Sequence, residues 1–156
     1  MQTHETTYGG NYVKHYTDPL PEGITLAAFD NDTVIFASGG KWLHPLFALE
    51  EFLLTYEGPK ENLAAHDTAA GKAAAILMAR MGIKQAHIDL VSDLAASVYE
   101  AHGIELSWER RIERLACKTE ELLSTMDDED QMYQMLKERA TAAKARVEQE
   151  LTGKAQ

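Results

Sequence analysis

The feature that most constrains the fold of this chain is an alternation of strand-like and helix-like segments along most of its length. The turn-forming run Asp30-Asn31-Asp32 separates two apolar, β-branched segments, 24–29 and 33–37, and therefore indicates a β-hairpin. Strands that alternate with helices form a sheet in which the later strands are parallel neighbours. The sequence predicts an α/β fold: a three-layer α/β/α sandwich with an opening β-hairpin, alternating helices and strands, and an extra C-terminal helix.

Three helices and three further strands are expected after the hairpin. Apolar residues recur on one helical stripe from Leu43 to Leu54, with Pro45 in the first turn. A second helix is expected from Thr68 to Met81 with Gly82 as its C-cap, and a third from Ser92, its N-cap, to His102. The strands are expected at 62–66, 84–91 and 104–108.

The length of 156 residues and the apolar share of 45% suit one domain with one core. Residues 1–23 mix aromatic and polar side chains with two prolines, which predicts an irregular N-terminal arm. Residues 24–126 form the predicted α/β domain. Residues 127–156 begin with an acidic run and continue as a polar helical extension.

The formal net charge of −10 disfavours nucleic acids and membrane surfaces as partners, because both are anionic. Cys117 is the only cysteine, which rules out an internal disulfide and a multi-cysteine zinc site and suits a reducing cytoplasm. No apolar run approaches the length of a membrane span, and residues 1–10 lack the apolar core of a signal peptide. We expect a cytoplasmic protein without a cofactor, whose remaining candidate partners are a small-molecule ligand and a second copy of the chain.

Three stretches carry a resemblance to a known family. The first two are Ser38-Gly39-Gly40-Lys41-Trp42-Leu43-His44-Pro45-Leu46 and Asp67-Thr68-Ala69-Ala70-Gly71-Lys72-Ala73-Ala74. The third is Cys117-Lys118-Thr119-Glu120, in which Lys118 stands where a proline is expected. Together with the element order, they resemble an uncharacterised prokaryotic family of domains of unknown function with a cytidine-deaminase-like fold. The resemblance implies that fold for residues 24–120 and implies no activity.

The motifs of a zinc deaminase are absent. Such a site needs His or Cys with Glu two residues later at one helix start, and Cys-x-x-Cys at the next. His66-Asp67-Thr68 and Ser92-Asp93-Leu94-Ala95 fall where these motifs are expected, and neither supplies the set. The sequence predicts no metal site and no stoichiometric zinc, since at most His66 and one carboxylate could converge there.

Asp67 and its neighbours form one half of the predicted site. Asp67 is either the N-cap of the second helix or a carboxylate that binds a ligand or acts as a general base. Gly71, inside that helix, is expected to permit close packing against the sheet. Lys72 is either a solvated lysine or, if it points inward among alanines, a lysine with a lowered pKa.

The other half of the predicted site is the Ser38-Gly39-Gly40 turn. It is either an anion-binding nest or a plain connection, and His44 either faces the same crevice or lies on the surface. Cys117 is a candidate nucleophile or an inert thiol. The catalytic candidates are Asp67, Lys72 and Cys117, and the ligand-binding candidates are Ser38, Gly39, Gly40, His44, Asp67, Thr68, Gly71 and Lys72.

The leading hypothesis is a small-molecule-binding domain whose nucleotide-like or anionic ligand lies between this turn and Asp67. One alternative is a non-metal enzyme that uses Asp67, Lys72 and Cys117. The other is a structural protein that dimerises through its helices.

Overall fold

The computed structural model describes residues 7–8, 11–12 and 14–154. The order hairpin, helix, strand, helix, strand, helix, strand that carried the resemblance to the cytidine-deaminase-like fold is the order observed. The elements are β1 (Thr7–Tyr8), β2 (Asn11–Tyr12), β3 (Leu26–Asp30), β4 (Thr33–Ser38), α1 (His44–Thr55), β5 (Leu63–Ala70), α2 (Lys72–Met81), β6 (Gln85–Ser92), α3 (Asp93–Ala101), β7 (Glu105–Ile112), α4 (Lys118–Leu123) and α5 (Glu129–Lys154).

The main sheet has the strand order β4-β3-β5-β6-β7. Because β3 is antiparallel to both β4 and β5, those two strands run in the same direction, and β5, β6 and β7 are mutually parallel. The helices α1, α2 and α3 therefore join parallel strands in three crossovers that all advance the same way across the sheet. Right-handed crossovers that advance in one direction place their helices on one face.

The packing agrees with that rule. One core cluster joins Leu26 and Ala28 of β3 and Ala65 of β5 to residues of α1, α2 and α3. On the opposite face, Ala27, Phe29 and Ala64 pack against Tyr16 and Leu20 of the N-terminal segment. The predicted α/β class, mixed sheet and C-terminal helix are confirmed. The layers differ from the expected α/β/α order, because the described helices that contact the sheet lie on one face, with α4 and α5 behind α2.

Strands β5 and β7 extend further than the sequence predicted. Strand β5 continues to Ala70, where a helix was expected from Thr68, because Ala69 and Ala70 pair with Leu90 and Val91 of β6. Alanine-rich composition is only a weak helix signal, and ladder pairing overrides it here. Strand β7 is longer than expected and ends at Ile112. The predicted C-cap of α2 and N-cap of α3 are confirmed: Gly82 has φ +83°, and the Ser92 hydroxyl accepts from the Ala95 amide at 3.1 Å.

The described residues near the two ends of the chain form regular structure. Thr7–Tyr8 pairs with Asn11–Tyr12, so the arm contains a short hairpin and is not irregular throughout, while 1–6, 9–10 and 13 lie outside the described residues. The first half of α5 packs on α2 through Met132, Leu136 and Ala140, and the helix is exposed beyond them.

Within the described residues, no helix is both long and apolar enough to cross a membrane. The predicted domain boundaries, 23/24 and 126/127, stay a prediction.

The turn after β4 is tightly packed and supplies a test of the fold. A Cβ at Gly39 would overlap the backbone carbonyl of Gly23. We expect Gly39→Ala to lower the free energy of unfolding by about 1–3 kcal/mol, because backbone must move to make room. Gly153→Ala is the control, since no atom lies within 4 Å of a Cβ there. Urea denaturation measures both, and equal stability of the two variants would contradict the packing.

Candidate functional site

A pocket of about 310 Å³ lies at the carboxyl ends of β4 and β5, which run in the same direction. In open α/β sheets, ligands bind at this edge of the strands. Its walls come from the loop before α1, the end of β5, the start of α2 and residues 115–120. The lining residues are Thr25, Gly40, Lys41, Trp42, Leu43, Pro45, Leu46, Asp67, Thr68, Ala69, Gly71, Lys72, Ala73, Ala74, Leu115, Cys117, Thr119 and Glu120.

Asp67 is the polar residue at the back of this pocket, and it is 9% exposed. It lies within β5, and the N-cap of α2 is Gly71, so the prediction that Asp67 caps the helix is wrong. Burial raises the pKa of Asp67 from 3.8 to about 7; the amides of Ala69 and Thr68 oppose that shift, and the charge of Asp89 adds to it. The Asp67 carboxyl therefore changes its protonation near neutral pH.

Glu120 fixes the start of α2 although it comes from α4. Its side chain is 1% exposed. One carboxylate oxygen accepts from the Lys72 amide at 2.9 Å and the other accepts from the Leu115 amide at 3.1 Å. A Cβ on Gly71 would approach this carboxylate to 2.9 Å, so Gly71 permits close contact with Glu120. The prediction that Gly71 permits close packing against the sheet is therefore wrong. The chain's own carboxylate already occupies the favourable anion position at this helix start.

Lys72 contributes its stem to the pocket but not its charge. The ammonium donates to the carbonyls of Leu123 at 2.9 Å and Met126 at 2.8 Å. Neither of these residues belongs to the pocket wall. The Lys72 ammonium therefore ties the end of α4 to α2, and the sequence hypothesis of a lysine directed into the site is not supported.

The Ser38-Gly39-Gly40 turn uses its own polar groups internally. The Ser38 hydroxyl accepts from the Gly40 amide at 3.1 Å, and Thr25 donates to the Gly40 carbonyl at 2.6 Å. Gly40 lines the pocket, whereas Ser38, Gly39 and His44, all within the described chain, lie outside its wall. The turn shapes the pocket but does not present an open nest.

Trp42 is a pocket residue that the sequence reasoning missed. Its backbone is left-handed, with φ +58°, a conformation that is costly for a bulky side chain. The ring is 42% exposed and packs edge-on against His44, with ring centroids 5.3 Å apart. Its indole nitrogen lies 3.5 Å from the Thr119 hydroxyl, so Trp42 and Thr119 approach each other across the pocket. Its place in the stretch Ser38–Leu46 was the available signal.

The third sequence stretch also reaches the pocket. Cys117 is exposed, lines the pocket, and has its sulfur 3.5 Å from the Thr119 hydroxyl. The structure therefore brings the third stretch to the pocket, where Glu120 contacts Gly71 and Lys72. Of the predicted site residues, Gly40, Asp67, Thr68, Gly71, Lys72 and Cys117 lie together.

The two stretches that were matched to the deaminase zinc motifs do not lie at the helix starts of the pocket. His66-Asp67-Thr68 is inside β5, and Ser92 caps α3, away from the pocket wall. The helices α1, α2 and α4 begin at the pocket. The expected position of His66-Asp67-Thr68 at a helix start is therefore wrong, whereas Ser92 does begin a helix, α3, as expected.

A family model described as TM1506, domain of unknown function (DUF1893), matches residues 21–140. The chain belongs to this family. The crystal structure of a DUF1893 family protein (TM1506) from Thermotoga maritima matches with a TM-score of 0.64 at 22% identity, covering 76% of this chain and 82% of that one. The sequence resemblance to a family of domains of unknown function is thus confirmed.

A more distant structural match is the apo dCMP deaminase from the cyanophage S-TIM5. It has a TM-score of 0.44 at 12% identity and covers 57% of this chain and 79% of that chain, which is too remote to inform on chemistry. No curated protein matches the chain.

The role of Glu120 can be tested with a near-isosteric change. Glu120→Gln keeps one acceptor but turns an amide toward a backbone N–H, and we expect it to cost about 1–3 kcal/mol of unfolding free energy. Glu121→Gln, on the exposed side of the same helix, is the control and should change stability by less than about 0.5 kcal/mol. Both are measured by denaturant unfolding. A Glu120→Gln variant as stable as the control would show that this carboxylate does not hold α2.

The raised pKa of Asp67 predicts a pH-dependent effect of Asp67→Asn. The folded state holds this proton more tightly than the unfolded chain, so its stabilising contribution is complete below about pH 4 and is lost as pH rises through about 7. Asparagine resembles the protonated carboxyl at every pH. The stability of Asp67→Asn relative to wild type should therefore increase between those values and reach on the order of a few kcal/mol above pH 7.

Thermal unfolding followed from pH 4 to pH 9 measures this difference. Asp32→Asn, in the exposed β3–β4 turn, removes one charge without a buried site and is the matched control. A constant offset between Asp67→Asn and wild type across the range would contradict the raised pKa.

Proposed function

We propose that this DUF1893 protein is a small-molecule-binding domain whose ligand occupies the pocket between α1, α2 and the end of β5. The observation that carries the proposal is the placement of the Asp67 carboxyl, which is nearly buried, at the back of a largely apolar pocket. The pocket's size lies at the lower end of the range for small-ligand sites. Of the two carboxyl groups in the pocket wall, that of Glu120 is held by backbone amides, so the Asp67 carboxyl is the one suited to fix the orientation of a ligand.

The surroundings of Asp67 support a ligand that donates hydrogen bonds. Within the described chain, the Ala69 amide donates to its carboxylate at 3.3 Å, while the Thr68 amide, whose proximity also lowers the Asp67 pKa, donates to the Thr25 carbonyl at 3.1 Å. Burial of an underpaired carboxylate is unfavourable, and a ligand amine, amidine or amino-heterocycle would offset that cost. The binding energy would therefore concentrate at this one contact.

The pocket favours a cationic or neutral ligand over the anionic metabolite that the sequence suggested. The amide at the start of α2 is bound by Glu120, the Lys72 ammonium by two carbonyls, and the Gly40 amide by Ser38. Lys41 at the rim is exposed. A flat ring with an amino group, as in a nucleobase, meets both the Asp67 carboxyl and the apolar wall of Trp42, Leu43, Pro45 and Leu46.

The enzymatic alternative has less support. It required Asp67, Lys72 and Cys117 to act together, but the two carbonyls hold the Lys72 ammonium outside the pocket wall. Without the Lys72 ammonium, the proposed set of Asp67, Lys72 and Cys117 lacks its cationic group.

Three probes of one shape test the ligand chemistry: benzamidine, benzamide and benzoate, which are cationic, neutral and anionic. We expect affinity to fall in that order, since Asp67 attracts donors and repels a carboxylate. Affinities for such small molecules will be weak, and ligand-observed NMR with Trp42 fluorescence measures them. Asp67→Asn should weaken benzamidine at least about tenfold and leave benzamide nearly unchanged, consistent with the loss of a charged hydrogen bond.

Glu121→Gln is the matched control, because it removes one acidic charge outside the pocket. If Asp67→Asn and Glu121→Gln bind the three probes alike, or if benzoate binds best, the proposed ligand chemistry is wrong. Binding of none of the probes, with an unperturbed Trp42 signal, would count against a small-molecule pocket.

A further inference from the structure

We propose that the face of the sheet opposite the helices carries a site for a divalent transition-metal cation, formed by His66, His87 and Asp89. His66 of β5 pairs in register with His87 of β6, and Asp89 follows two residues later on the same strand. Side chains at such positions share one face of a sheet. One ligand atom from each of the three residues lies within 4.8 Å of the other two.

The hydrogen bonds of His66 show an excess of acceptors that a cation would satisfy. Its Nδ1 lies 2.8 Å from the Tyr16 carbonyl, and its Nε2 lies 2.8 Å from an Asp89 carboxylate oxygen. Both partners can only accept, whereas a neutral imidazole has one N–H. With Nδ1–H donated to the carbonyl, the Nε2 lone pair faces an anionic oxygen. Either a second proton or a metal ion must stand between them.

The surroundings fit a metal better than a second proton alone, because another histidine converges on the same point. The His66 and His87 rings are 4.7 Å apart and nearly perpendicular. The Nδ1 of His87 is 2.7 Å from the Ser107 hydroxyl, and its Nε2 is 3.2 Å from Glu109, so coordination would replace one of these contacts and leave the other to hold the ring. Metal-binding histidines usually have the other ring nitrogen held by a carbonyl, a hydroxyl or a carboxylate, which fixes the ring and its tautomer.

The donor set defines the class of cation. Two imidazole nitrogens and one carboxylate suit Zn²⁺ and related first-row cations, and are a poor set for Mg²⁺ or Ca²⁺. His66 is fully buried, while the Asp89 side chain is 38% exposed, so a fourth position would face solvent on the Asp89 side.

This site is separate from the pocket of the proposed function. Successive residues of a strand point to opposite faces, so His66 and Asp67 lie on opposite sides of β5. No metal site was predicted from the sequence, because only ligands at helix starts were considered and at most one carboxylate could join His66 there. The second histidine comes from the neighbouring strand, on the face that the crossover helices leave free.

Zinc titration of the full chain after chelator treatment tests the proposal, with isothermal calorimetry for stoichiometry and thermal unfolding as a second readout. We expect one Zn²⁺ per chain and a higher Tm in its presence, because a cation that binds the folded state stabilises it. Asp89→Asn and His87→Gln should each weaken binding at least about 100-fold, since even indirect partners of a metal cost up to that much. The Asp89 side chain is 38% exposed and that of His87 is 6% exposed, and both variants leave the fully buried His66 in place.

His102→Gln is the matched control. His102 also bonds a carboxylate, Glu129, at 2.8 Å, but no second histidine accompanies it among the described residues. It should bind zinc like wild type. Wild type that takes up no stoichiometric zinc, or Asp89→Asn and His87→Gln variants that bind as tightly as His102→Gln, would overturn the site. Neither result bears on the benzamidine series, which reports on the other face.

Discussion

The direction of the crossovers is the constraint on which the rest of the structure depends. From β4 to β7 each crossover moves one way across the sheet, so α1, α2 and α3 all cover the same face. The helix face receives the large apolar core, and the pocket opens at its edge. The opposite face is covered in part by Tyr16 and Leu20. It therefore has room for polar side chains that a two-sided helical covering would exclude.

Strand β5 links the two faces, because it lies at the centre of the sheet and carries adjacent polar residues. Asp67 points to the helix side and His66 to the other, and both are buried. Buried polar groups lower stability unless they are paired. Asp67 has one weak amide partner, and His66 faces two acceptors. Each residue thus lacks a partner that a ligand or an ion could supply.

Local signals in the sequence were sufficient for much of the fold. The Asp30–Asp32 turn, the Ser92 N-cap and the Gly82 C-cap each depend on neighbours a few residues away, and all were placed correctly. The segment from Thr68 to Ala70 was misassigned because its alanines suit a helix, while its pairing with β6 is a tertiary interaction that no local pattern contains.

The site was harder to predict because its defining contacts are long-range. Glu120 reaches the Lys72 amide across 48 residues of sequence, and this contact occupies the anion position at the start of α2. The His66, His87 and Asp89 cluster left a fainter signal, since His87 and Asp89 have the spacing of two that places residues on one strand face.

The buried polar residues of β5 support both the proposed ligand pocket and the proposed metal site. An apolar residue at 66 or 67 would pack in the centre of a sheet without the desolvation cost that a histidine or a carboxylate brings. Glu120 is a buried carboxylate with a structural role, and each of its two oxygens accepts a hydrogen bond from a backbone amide. By contrast, the Asp67 carboxylate accepts one backbone hydrogen bond, and the His66 ring faces two acceptors. The same fold gives both oxygens of Glu120 backbone donors and leaves Asp67 underpaired, and this difference supports the proposed ligand position at Asp67.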